Sequence, residues 1–83
     1  MILGEAIMSA EYTTRINGLH VQVSKRGGGT LGKSYVGLWD VTVMNGPIYI
    51  LDGEEIDAGT PKTHAQMAQI AADFASTQID GEA

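Results

Sequence analysis

The stretch Ser34-Tyr35-Val36-Gly37-Leu38-Trp39-Asp40-Val41-Thr42-Val43-Met44-Asn45-Gly46-Pro47-Ile48-Tyr49-Ile50-Leu51 decides the fold. Its β-branched and aromatic residues are dense enough to suit a pleated surface better than a helix, so Ser34–Met44 is predicted as a strand. Asn45-Gly46 is a hairpin signal, because both central positions of a type I′ turn need positive φ. Pro47 must then sit where no ladder N–H is required, and Ile48–Leu51 resumes the strand.

Working outward, Leu19, Val21 and Val23 alternate with His20, Gln22 and Ser24, the period-2 pattern of a half-buried strand. Asn17-Gly18 signals a turn before it, leaving Tyr12–Ile16 as a separate short strand or an extended arm. Downstream, Asp52-Gly53 turns the chain, and Glu54-Glu55-Ile56 is a fourth short strand or a return loop. Thr60 suits an N-cap and Pro61 the first helical position. Met67, Ile70, Ala71 and Phe74 then mark an apolar helical stripe, predicting a helix from about Pro61 to about Ser76. The expected architecture is α+β: an antiparallel sheet of three to four strands with one C-terminal helix on one face, in β-β-β-α order. Residues 1–11 form an N-terminal extension, 12–79 a single domain and 80–83 a frayed tail.

Composition sets the outer bounds. At 83 residues the chain holds one small domain, and a domain of this size buries only about 60% of its unfolded surface. No cysteine is present, which removes disulfides, thiolate nucleophiles and thiolate metal ligands. A 43% hydrophobic content with a net charge of −5 is too apolar for intrinsic disorder. No apolar run approaches the ~18–20 residues of a membrane span. The start, Met1 to Met8, has no basic region and contains Glu5, unlike a secretion signal; a cytoplasmic location is the expectation. Met8 is an alternative natural start, with residues 1–7 an extension.

Gly27-Gly28-Gly29-Thr30-Leu31-Gly32-Lys33-Ser34 satisfies the phosphate-loop expression G-x-x-x-x-G-K-[ST]. Phosphate binding there needs a helix starting at the Lys-Ser pair, whereas Ser34 leads into a strand. The expected role is a flexible loop joining two antiparallel strands, with no cofactor and no enzyme activity. Charge is divided along the chain: Tyr12–Trp39 carries Arg15, Lys25, Arg26 and Lys33 with no acid, and Asp40–Ala83 carries eight acids against Lys62. Such asymmetry suggests a charged partner. Nucleic-acid binding by the Gly-rich hairpin 25–33, through Arg15, Lys25, Arg26 and Lys33 on phosphates, is the alternative reading. The acidic group Asp52, Glu54, Glu55 and Asp57 lacks the spacing and flanking helices of a calcium loop, so no metal site is expected.

His20 alternates outward on its strand, His64 falls in the first helical turn, and neither has a triad partner at recognisable spacing; both are expected at the surface. Trp39 and Tyr35 are expected to pack in the core against Phe74 and Met67, the other possibility being a platform for stacking bases. Val36, Leu38 and Met44 alternate away from Trp39, while Ile48 and Ile50 take one side of the next strand and Tyr49 and Leu51 the other. Both sheet faces are therefore expected to be apolar, and one helix covers only one. The cover is either the stretch Ile2, Leu3, Ala6, Ile7 and Met8 or a second protein surface. The expectation is a non-catalytic protein-binding module, a homodimer or a complex with another protein, using an open sheet edge or the apolar face, with Val36, Leu38, Met44, Tyr49 and Leu51 and the acidic turn Asp52, Glu54 and Glu55 as interface candidates. No membrane partner is expected.

Three strands followed by a helix, entered through Thr60-Pro61-Lys62-Thr63 and rich in alanine, resemble the small arm-type DNA-binding domains of tyrosine-family phage integrases over roughly residues 19–76. The resemblance implies an outward sheet face bearing Arg and Lys; this chain has Asp40, Thr42, Tyr49 and Leu51 there. The chain's brevity also suggests a phage or mobile-element accessory protein.

Overall fold

Two tight turns and one glycine loop fold the strands onto one another in sequence order. The structure, a computed structural model, describes residues 11–82. It contains β1 (Glu11–Ile16), β2 (Leu19–Lys25), β3 (Leu38–Asn45), β4 (Ile48–Asp57) and α1 (His64–Glu82). Each strand pairs antiparallel with the next, giving one sheet in the order β1-β2-β3-β4. The fold is α+β: Tyr12–Ile16, expected as a short strand or an arm, belongs to β1, and Glu54-Glu55-Ile56, expected as a fourth short strand or a return loop, continues β4 straight through the predicted turn at Asp52-Gly53. Residues 1–10 and 83 lie outside the described residues, and with them the proposed apolar cover from Ile2 to Met8.

Asn17 and Gly18 both have positive φ, 51° and 80°, as a type I′ turn requires. The second hairpin differs from expectation. Asn45 and Ile48 are paired, so the connecting residues are Gly46 and Pro47, and only Gly46 has positive φ. Proline fixes a negative φ, which suits the second central position of a type II′ turn. The strand predicted from Ser34 begins at Leu38 instead, because Gly37, at φ 99°, breaks the extended run. Tyr35 forms an isolated bridge with Lys62.

That bridge also moves the helix start. Tyr35 and Lys62 exchange backbone bonds of 2.9 Å, so Lys62 is extended and Thr60-Pro61 lies before α1. Thr63 is the cap: its Oγ1 accepts the Gln66 N–H at 3.2 Å, and the Gln66 side chain accepts the Thr63 N–H at 2.8 Å. This reciprocal capping box satisfies two otherwise unpaired donors. At the other end α1 continues past Ser76 through Glu82.

One face of the sheet supplies Leu19, Val21, Val23, Trp39, Val41, Val43 and Leu51 to the core, and α1 answers with Met67, Ala68, Ala71, Ala72 and Ala75. Full burial of a valine or leucine contributes about 1.5–3 kcal/mol. The buried helical stripe is mostly alanine, rotated from the predicted one. Ile70 is half-buried and Phe74 is 42% exposed, so Phe74 is not the core partner of Trp39. Met67 does lie in the core. His64, expected at the surface, is only 2% exposed; its ring stands edge-on to Trp39 with centroids 4.9 Å apart, and to Tyr35 at 6.4 Å. Small side chains bring α1 close to β2, and α1 reaches β4 least.

Candidate functional site

Alternation puts Thr13, Gln22, Ser24, Asp40, Thr42 and Glu55 on the sheet face away from α1. This face is polar across its middle, contrary to the expected apolar second face. Asp40 and Thr42 fall on it by plain alternation between Leu38 and Met44, and Leu51 leaves it because the β4 register shifts twice, between Val41 and Val43 and between Val43 and Met44. Each shift puts one extra residue in β4, as a β-bulge does; the one between Tyr49 and Leu51 reverses which side residues face, and the one between Leu51 and Glu54 restores it. Leu51 pairs with Val43 and is buried in the core, whereas Tyr49 pairs with Met44 on the open face and is 55% exposed. Leu51 is therefore no interface residue. Val36 and Leu38 are exposed near one end of β3, and Met44 with Tyr49 lies at the other. Asp40 and Thr42 separate the two groups.

Arg26 fastens that separation. Asp40 and Glu55 are directly opposed in the β3–β4 ladder, a like-charge arrangement that is unfavourable alone. The Arg26 guanidinium, just beyond β2, donates to both carboxylates. The hydrogen bond to Asp40, helped by the charges of Asp40 and Glu55, holds Arg26 above its ordinary pKa. Of the four cations proposed for nucleic acid, Arg26 is thus committed to carboxylates. Lys25 Nζ donates to the Arg26 carbonyl at 2.7 Å, and Lys33 is exposed. Arg15 pairs with His20 at the far end of β2, about 17 Å from Lys25 at ~3.4 Å per residue. The four do not converge on one surface.

The phosphate-like loop uses three of its amides internally. Gly28 N–H bonds the Lys25 carbonyl, Lys33 N–H the Thr30 carbonyl, and Thr30 N–H the Tyr35 hydroxyl at 2.7 Å. The bond from Thr30 pulls the Tyr35 phenol below its ordinary pKa. A Cβ on Gly29 would lie 3.0 Å from the Tyr35 ring, so this glycine serves a close approach to the aromatic. Trp39 is buried beneath His64 and offers no open stacking face.

Besides Leu31, Val36, Leu38 and Tyr49, which are exposed elsewhere, apolar surface is left uncovered on the helix side of β4. A shallow groove there is lined by Ile56, Ile70 and Phe74 together with Glu54, Glu55 and Asp57 of β4, the Glu55 carboxylate itself being engaged by Arg26. A neighbouring hollow near the β3–β4 turn contains Ile48, 62% exposed, with Ile50 and Ile79. The sequence reading found the acidic residues of this margin but assigned its apolar helix residues to the core. Alanine density on α1 was the missed signal, since a close-packed small face leaves large neighbours on the flank. His64 could have been found by extending the stripe Ala75, Ala71, Ala68 back one more turn.

Among the described residues, no group of three or more His, Asp or Glu is arranged to hold a metal ion, and no helix is long and apolar enough to cross a membrane. Comparison with protein families, curated proteins and solved structures finds no match for this chain.

Proposed function

We propose that the chain is a small, non-catalytic, cytoplasmic protein-binding module that docks a partner along its β4 margin. The observation that carries this reading is the groove of Ile56, Ile70 and Phe74 alongside the acidic strand segment Glu54, Glu55 and Asp57. Apolar surface rimmed by charge is typical of an interaction site. The chemistry favours a segment that inserts an aliphatic or aromatic anchor and brings Lys or Arg to the acidic segment.

Selection from a displayed peptide library on the immobilised full chain tests the proposal. The expected sequences combine an apolar anchor with neighbouring basic residues, and their binding weakens with salt and is lost in Phe74→Asp. Selected peptides that bind Phe74→Asp as well as the wild-type chain contradict it.

A further inference from the structure

We propose that β1 is a self-recognition edge: two copies pair antiparallel along it, with Thr13 on the two-fold axis, to form one continuous sheet. This surface lies across the sheet from the β4 groove and is independent of it.

Among the described residues, β1 pairs on one side only, with β2, and its register from Glu11↔Ser24 to Ile16↔Leu19 is unbroken. Natural edges are protected by short length, bulges, proline, charged side chains (lysine above all) or a covering element; the two charges of β1, Glu11 and Arg15, are of opposite sign and become complementary across a two-fold axis. The strand Glu11-Tyr12-Thr13-Thr14-Arg15-Ile16 has no Pro, Gly or Lys, and Tyr, Thr and Ile favour strands.

Pairing geometry narrows the choice of partner and register. In an antiparallel ladder, alternate residues direct both backbone groups to the same side. Two β1 edges can therefore set outward-directed residues only against outward ones and inward only against inward, which places the axis through a residue rather than between two. With the axis at Thr13, Glu11 of each copy lies opposite Arg15 of the other, and Thr13 meets itself. These three side chains share the exposed face of β1. Opposite charges directly across a ladder are favourable, and symmetry makes the pair occur twice. An axis at Tyr12 sets Glu11 against threonine, and one at Thr14 leaves Glu11 unopposed. The charge pattern selects a second copy of this chain, in one register.

The helices permit the arrangement. With strands ~4.8 Å apart, β2 and its copy lie about 14 Å from each other across the joined edges. Two α1 helices about 10–12 Å wide fit side by side on one face, with Tyr12 and Ile16 of both copies beneath them.

Sedimentation equilibrium of the full chain across the micromolar range tests the pairing. The wild-type chain is expected to dimerise reversibly. Arg15→Glu and Glu11→Arg each raise the dissociation constant by at least about tenfold, since each sets two like-charge pairs face to face. The double variant Glu11→Arg with Arg15→Glu returns it to within about threefold. Arg15→Gln gives a smaller rise and serves if a charge reversal prevents folding, which circular dichroism reports. A wild-type chain that stays monomeric, single variants that dimerise unchanged, or a folded double variant that stays monomeric overturns the proposal. Phe74→Asp leaves the dimer intact, so failure here is distinguishable from failure at the β4 groove.

Discussion

The two edges of this sheet manage the same physical problem in different ways. Among the described residues, both β1 and β4 have a neighbour on one side only, so within them each outer edge leaves backbone groups that the sheet does not pair. Strand β4 is interrupted by two register shifts, a left-handed glycine at Gly53 and three carboxylates between Glu54 and Asp57. Bulges and charge discourage strand addition, so β4 offers side chains to a partner. Strand β1 is short, regular and carries one charge of each sign, so it offers backbone. The contrast separates a side-chain docking margin from a strand-pairing margin, while β2 and β3 between them hold the core.

If that division holds, substitutions should sort by strand. The largest loss is expected for Trp39→Ala in β3, about 3–5 kcal/mol, against about 4–12 kcal/mol for a chain this long. Tyr49→Ala on β4 is expected to cost less than about 1 kcal/mol. Urea denaturation compares them, and equal losses would break the distinction between centre and margin. Next comes Gly53→Ala, where no atom lies within 4 Å of the added Cβ. Its cost of about 1–2 kcal/mol comes from the left-handed backbone alone; a neutral result in the same denaturation assay would mean that the bulge relaxes. The smallest effect is expected for Arg26→Met, a modest fall in melting temperature because its ion pairs are half exposed. Adding Glu55→Gln to that variant should recover part of the fall by relieving repulsion from Asp40. No recovery would show that the clamp does not offset that opposed pair.

The regular parts of the molecule were legible because they obey one period throughout. Leu19, Val21 and Val23 alternate without interruption, and all three are buried. Asn17-Gly18 announced its turn because that pair tolerates positive φ. The β4 face was not legible at Leu51: one register shift reverses the alternation between Tyr49 and Leu51, a second restores it before Glu54, and nothing in Ile48–Asp57 except Gly53 marks where this happens. The helix misled for a different reason. Hydrophobic size suggested that Ile70 and Phe74 face inward, but close approach to β2 favoured alanine there and moved the larger side chains to the flank. The docking groove thus arises from the residues that size alone would have placed in the core. Arg26 could not be distinguished from its basic neighbours until Asp40 and Glu55 were seen to face each other.

Amide hydrogen exchange, followed residue by residue at low and high protein concentration, tests the unlike character of the two edges most directly. The outward-facing amides of Tyr12–Ile16, every second residue, should become protected as concentration rises, while those of Glu54–Asp57 exchange at the same rate throughout. Concentration-independent exchange along β1, or protection appearing on β4 instead, would contradict the account.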